Sequence, residues 1–140
     1  MDLSQTFPRS PRDKMSGLVH LPRMVDKAHA SKQNTLGEYI FPCPLDQTIL
    51  NFLEIDAEEW VHLVHSQNEE QLARWIEKKC GSCKPDDMES VNRQILEREP
   101  DNENRWKHFY ELRDKIDPSR KDITTWVDLI DLEEGRLTPG

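Results

Sequence analysis

Apolar side chains recur every three or four positions along most of the chain, which is the spacing of one face of an α-helix. The clearest case lies at the start of the chain's first helical segment, where Leu21, Met24, Val25 and Ala28 occupy positions i, i+3, i+4 and i+7. No long run alternates between apolar and polar residues, as a half-buried strand would. The pattern therefore predicts an all-α fold of about seven short helices with short connections.

Proline, capping residues and glycine indicate where these helices begin and end. Pro22 suits the first position of a helix that we expect to continue to about Lys32. A short helix is predicted in residues 45–53, and Asp56 and Asn68 open the next two because each has Glu or Gln three positions later. Three further helices are predicted to begin near Pro85, Asp101 and Asp122.

The length of 140 residues suits a single domain. Residues 1–16 lack periodicity and contain two prolines, so we expect an extended N-terminal arm there. Residues 17–136 are then one compact helical domain, and residues 137–140 are a short tail.

Composition indicates a small core under a heavily charged surface, since 35% of the residues are hydrophobic and 33% are charged. The acidic protein has a net charge of −8, which argues against a nucleic-acid partner and against anionic membranes. The charge is uneven, because residues 1–43 carry +2 and residues 44–140 carry −10. A protein or a small anionic molecule is the kind of partner that these charges leave open.

Three cysteines without a signal peptide or an apolar span indicate free thiols in a reducing compartment. We therefore expect a cytoplasmic protein. Its oligomeric state does not follow from the sequence.

The first helix carries a second face that is charged, formed by Arg23, Asp26 and Lys27 at i, i+3 and i+4. One interpretation is a solvated face with a weak intrahelical pair. The other is a crevice in which these cations meet Asp128 and Asp131 of the last helix. Carboxylates in the second half of a helix oppose its dipole and need a cation nearby. Arg136 could also supply it, and so could a divalent cation held by Asp128 and Asp131.

The same face defines a candidate ligand site, in which His20 and Tyr39 would join Arg23 and Lys27 around an anionic group. Arginine suits this role because its planar fork matches a carboxylate or phosphate. The alternative is an internal salt bridge to Asp128 or Asp131. Both interpretations stay open at this point.

Metal binding has little support in the sequence. Cys80 and Cys83 have the spacing of zinc ligands, and His62 and His65 lie three positions apart. In an antiparallel hairpin the two pairs would be offset by roughly 12 Å, at about 1.5 Å per residue, which is too far for one tetrahedral site. We therefore expect no metal and no cofactor, with these two cysteines as weak candidates.

Two stretches at opposite ends of the chain carry a family resemblance. The first is "SPRDKMSGLVHLPRMVDKAHA" continuing to "LGEYIFPCPLDQTILNFLEIDAEEW", and the second is "DITTWVDLIDLEEGR". In order and spacing they resemble the domain-of-unknown-function family numbered five-zero-six-nine, over about residues 8–136. The resemblance implies a small, soluble, single-domain bacterial protein. It implies no assigned activity and no catalytic residues.

The sequence favours a non-catalytic binding or protein-interaction module with a charged site between helices. The alternative is a small enzyme that acts on an anionic metabolite through His20, Asp26 or Cys43 in a cleft. An enzyme should present these groups to solvent, whereas an interaction module should pair them with one another.

Overall fold

The computed structural model describes residues 2–82 and 85–137. Within these residues the fold is all-α, as predicted, with seven α-helices and one small two-stranded sheet. The strands are β1 (Lys14–Met15) and β2 (Leu18–Val19). The helices are α1 (Leu21–Lys32), α2 (Pro44–Leu53), α3 (Ala57–Ser66), α4 (Glu69–Lys79), α5 (Pro85–Leu96), α6 (Glu103–Ile116) and α7 (Trp126–Glu133).

The small sheet is an antiparallel hairpin, in which Lys14 pairs with Val19 and Met15 with Leu18. Its turn residues Ser16 and Gly17 have φ values of 52° and 85°, which is the conformation of a tight two-residue hairpin turn. The end of the predicted extended arm is therefore paired. Two residues per strand are too few to produce an alternating pattern in the sequence.

The chain divides into two compact units, Met1–Asn92 and Arg93–Gly140. In the first unit α1 packs against α3 and β1. The fully buried Trp60 of α3 donates its indole N–H to the carbonyl oxygen of Met24 in α1, at 3.0 Å. This bond joins α3 to α1, in which nine of the twelve residues are buried.

The second unit is centred on Phe109 of α6, which is fully buried and packs with Ile123, Leu129 and Leu132. The helix α7 begins at Trp126, because the side chain of Thr125 accepts a hydrogen bond from the backbone N–H of Asp128. The predicted start at Asp122 is therefore wrong by about one turn. The helical periodicity continued to Asp122, but the Thr125 cap fixes the observed start.

α6 is the longest helix in the described part of the chain, with 14 residues. None of the helices described there combines the length and the apolar character that crossing a lipid bilayer requires.

Candidate functional site

The charged face of α1 is buried. Arg23, Asp26 and Lys27 are only 3%, 4% and 3% exposed, so the interpretation of a solvated face is wrong. Backbone and side-chain groups from the N-terminal arm and from the segment between α1 and α2 contact this face. Charged side chains at such depth require partners, since an unpaired buried charge is strongly destabilising.

Asp26 binds the N-terminal arm. Its carboxylate accepts hydrogen bonds from the backbone N–H of Arg9 at 2.8 Å and from Nε and Nη2 of the same residue, each at 3.2 Å. Arg9 also reaches Glu69 at the start of α4, at 2.6 Å. The arm is thereby fixed between α1 and α4 by a bidentate guanidinium contact.

Asp46, in the first turn of α2, is the centre of the buried charged cluster. Its carboxylate is fully buried and accepts hydrogen bonds from His20 Nε2 at 2.6 Å and from Lys27 Nζ at 3.0 Å. The backbone N–H of Cys43, the residue that caps α2, donates a third bond at 2.9 Å. We call His20, Lys27, Cys43 and Asp46 the Asp46 cluster.

The electrostatics of the Asp46 cluster follow from burial and pairing. Burial alone would raise the pKa of Asp46, but the hydrogen bond from His20 and the charge of Lys27 hold that pKa well below its usual range. Burial lowers the pKa of His20 despite the neighbouring carboxylate. At neutral pH the cluster therefore contains a carboxylate, an ammonium group and a neutral imidazole.

The loop of residues 34–43 between α1 and α2 is held by the same cluster. Lys27 Nζ donates to the carbonyl oxygen of Ile40 at 3.2 Å and lies 3.5 Å from Cys43 Sγ. The guanidinium of Arg23 lies over the ring of Tyr39, 5.4 Å from its centroid. One lysine thus connects the buried carboxylate to the backbone of the loop.

The predicted site residues fall into two groups. The structure joins His20 and Lys27 through Asp46, and it places Arg23 against Tyr39. Sequence reasoning did not include Asp46 among the candidates. A signal was present in the sequence. Asp46 lies three positions after Cys43, where an acid can form a capping box, and the structure shows one.

Asp128 and Asp131 lie in the second unit, on α7. Asp131 is 3% exposed and accepts a hydrogen bond from Arg136 Nη1 at 3.1 Å, and the same nitrogen contacts Glu134. Arg136 thus supplies a cation at the carboxyl end of α7, where the helix dipole requires one. The contact of these carboxylates with Arg23 and Lys27 stays a prediction.

The family model for a domain of unknown function (DUF5069) matches residues 5–136. The chain belongs to the DUF5069 family. No curated protein matches it at a significant level. The matched range includes the arm from residue 5 onwards, the Asp46 cluster and α7, so every helix and strand described above is part of the family domain.

Three residues of the DUF5069 domain have the chemistry of metal ligands in one place. A ligand atom from each of His20, Cys43 and Asp46 lies within 4.8 Å of the others. However, the ammonium group of Lys27 already occupies the cation position against Asp46. The 2.6 Å contact between His20 and Asp46 is a hydrogen bond and is shorter than the roughly 3.3 Å that separates two ligands at a tetrahedral zinc. The arrangement fits an internal ion-pair network better than a metal.

Among the described residues, Cys80 of this DUF5069 chain does not belong to the group formed by His20, Cys43 and Asp46. Cys80 is buried at the end of α4. Cys83, the second residue of the predicted zinc-ligand pair, lies outside the described residues.

Proposed function

We propose that this DUF5069 protein is a non-catalytic interaction module that binds a basic protein segment through the exposed loop around Ile40. The observation that supports the proposal is that Ile40 has an exposed side chain and a firmly bound backbone. The side chain of Ile40 is 70% exposed, while its carbonyl oxygen is bound by the buried Lys27. An exposed apolar side chain on a fixed backbone is suited to binding, because little conformational entropy is lost when a partner docks.

The loop is held at both ends. Near its start, the backbone N–H of Leu3 donates to the carbonyl oxygen of Thr35 at 2.8 Å, which joins the arm to the loop. At its end, the Cys43 N–H donates to Asp46. The loop is therefore attached at residues 35 and 43, and Ile40 lies between the two attachments.

The arm contributes a second exposed apolar residue. Phe7 is 54% exposed and lies two positions before Arg9, which is bound to Asp26. Phe7 and Ile40 thus belong to two segments that contact each other and that are both anchored to the charged face of α1. Exposed apolar side chains on anchored segments favour an interaction surface.

Charge favours a basic partner. Residues 1–92 contain ten Lys and Arg and fifteen Asp and Glu, which gives this unit a net charge of −5. A second copy of the chain carries the same sign and is repelled, whereas a segment rich in Lys or Arg is attracted.

The alternative of a small enzyme acting on an anionic metabolite has weaker support. Its proposed groups His20 and Asp26 are 0% and 4% exposed and are engaged in hydrogen bonds. Burial raises the pKa of the Cys43 thiol, and the charge of Asp46 adds to this effect. A nucleophilic cysteine requires the opposite shift, which stabilises the thiolate.

A peptide selection tests the proposal. The full chain is used to select from a phage-displayed library of random peptides, and the dissociation constants of the selected peptides are measured by calorimetry. We expect peptides in which Lys or Arg flanks an apolar residue. Ile40→Ser should weaken their binding about tenfold or more. Ile116→Ser is the matched control, since Ile116 is also exposed, at 37%, but lies on α6.

Two outcomes would contradict the proposal. One is equal binding of the selected peptides to the Ile40→Ser and Ile116→Ser variants. The other is a selection that yields acidic peptides or none that bind the wild-type chain.

A further inference from the structure

We propose that a groove along α4, separate from the loop around Ile40, binds a planar organic anion such as an aromatic phosphate or sulfonate. The groove is shallow and widely open to solvent, with a volume of about 460 Å³. It extends from the end of α3 along most of α4, in the first unit. Its lining residues are Ser66, Gln67, Gln71, Arg74, Trp75 and Lys78.

The charge of the lining selects an anion. None of the six lining residues is acidic, although the whole chain contains 27 Asp and Glu. Arg74 and Lys78 are one helical turn apart on α4, so both cations face the same side. Arg74 Nη2 donates to Glu70, but this contact uses only one of the five N–H groups of the guanidinium.

The shape of the lining favours a planar ring. Trp75 is half-buried and lines the groove with its indole ring. In the sequence it lies between the two cations Arg74 and Lys78. Aromatic rings pack on indole in stacked or edge-to-face geometry, and an anionic substituent on such a ring would lie within reach of Arg74 or Lys78. An inorganic anion would use the cations but not the indole.

Amide groups complete the lining. Gln71 is oriented by the α4 cap, where its side-chain oxygen accepts from the N–H of Asn68 at 3.0 Å. The side-chain oxygen of Gln67 is buried and accepts no hydrogen bond from the described residues. Because that oxygen has no bond to lose, the Gln67 amide can turn towards a ligand without breaking one. The groove is open, so we expect a dissociation constant on the order of 100 µM.

The probe is 1-anilinonaphthalene-8-sulfonate, a fluorescent aromatic sulfonate, added to the full chain. We expect saturable binding that Lys78→Glu weakens about tenfold, because the substitution places a like charge beside the sulfonate. Lys79→Glu is the matched control. It makes the same change in net charge one residue away, at a position that does not line the groove, and should alter the binding less than about twofold.

Competition between the probe and two phosphates tests whether the groove recognises the aromatic ring as well as the anionic group. Phenyl phosphate should displace the probe at lower concentration than inorganic phosphate. Ile40→Ser should leave probe binding unchanged, which separates this site from the proposed protein-binding loop. Equal losses in the Lys78→Glu and Lys79→Glu variants, equal competition by the two phosphates, or loss of binding in Ile40→Ser would each overturn the proposal.

Discussion

The Nε2 atom of His20 lies 2.6 Å from Oδ1 of Asp46, and both side chains are fully buried. His20 is the residue immediately before α1 and has a left-handed φ of 77°, while Asp46 lies in the first turn of α2. The pair therefore joins the beginnings of two helices. Lys27 binds the second carboxylate oxygen and completes the neutralisation of Asp46.

Asp46→Asn should destabilise the protein strongly, because it leaves the ammonium group of Lys27 buried without a counter-ion. The expected loss is about 3–5 kcal/mol in the free energy of unfolding. Urea denaturation followed by circular dichroism measures it. Glu58→Gln on the exposed surface of α3 is the control and should change stability by less than about 0.5 kcal/mol.

The double variant Lys27→Met with Asp46→Leu should lose less free energy of unfolding than the two single variants lose in sum. Replacing both partners leaves neither charge unpaired, so we expect a coupling free energy of about 1–3 kcal/mol. Additive losses in this cycle would show that the ion pair does not exist in solution.

Stability should fall as the pH is lowered from 7 towards 5, in part because of His20. Burial keeps His20 neutral in the folded state, whereas in the unfolded chain it binds a proton near its ordinary pKa of about 6.5. The unfolded state thus gains protons below about pH 6.5, which costs at most about 1.4 kcal/mol per pH unit for this residue. Above about pH 6.5 His20 is neutral in both states, so the folded state keeps its full stability with respect to this residue.

Nuclear magnetic resonance tests this point directly. The Cε1–H signal of His20 should titrate with a midpoint below the ordinary histidine pKa of about 6.5, because burial disfavours the protonated imidazole. A His20 signal that titrates near pH 6.5 would contradict a neutral, buried imidazole.

Gly37→Ala should release the N-terminal arm from the loop. Gly37 has a φ of 62°, and an added Cβ would lie 3.1 Å from the Cα of Ser4 and 3.2 Å from the carbonyl oxygen of Leu3. The strain of the left-handed backbone alone is about 1–2 kcal/mol. We expect faster tryptic cleavage after Arg9 or Arg12, measured by mass spectrometry.

Gly81→Ala is the control for this experiment, because a Cβ there would meet nothing within 4 Å. Cleavage rates that are the same in the Gly37→Ala and Gly81→Ala variants would mean that the contact between arm and loop does not hold the arm.

Trp60→Phe should weaken the packing of α3 on α1. The variant loses the hydrogen bond from the indole to Met24 and leaves part of a buried volume empty, which together should cost about 2–4 kcal/mol. The urea midpoint measures this loss. Trp75→Phe, at a half-buried position, should shift the midpoint much less, and equal shifts would contradict the buried role of Trp60.

Most of the helices followed from local signals in the sequence. The caps at Asp56 and Asn68 accept the expected hydrogen bonds from Glu59 and Gln71, because capping depends on residues three positions apart. The apolar stripe of α1 is buried as predicted, since it reflects the helical repeat. The hairpin before α1 and the start of α7 were missed, because very short strands and a single threonine cap leave weak patterns.

The sequence by itself determined the helical class, the approximate helix positions and the presence of a charged face on α1, because all of these depend on neighbours within a few residues. Only the tertiary structure decided which groups meet that face. Asp46 is 19 positions from Lys27, and Arg9 is 17 positions from Asp26. Contacts over such separations depend on how the loop and the arm pack across α1, and no local periodicity specifies that packing.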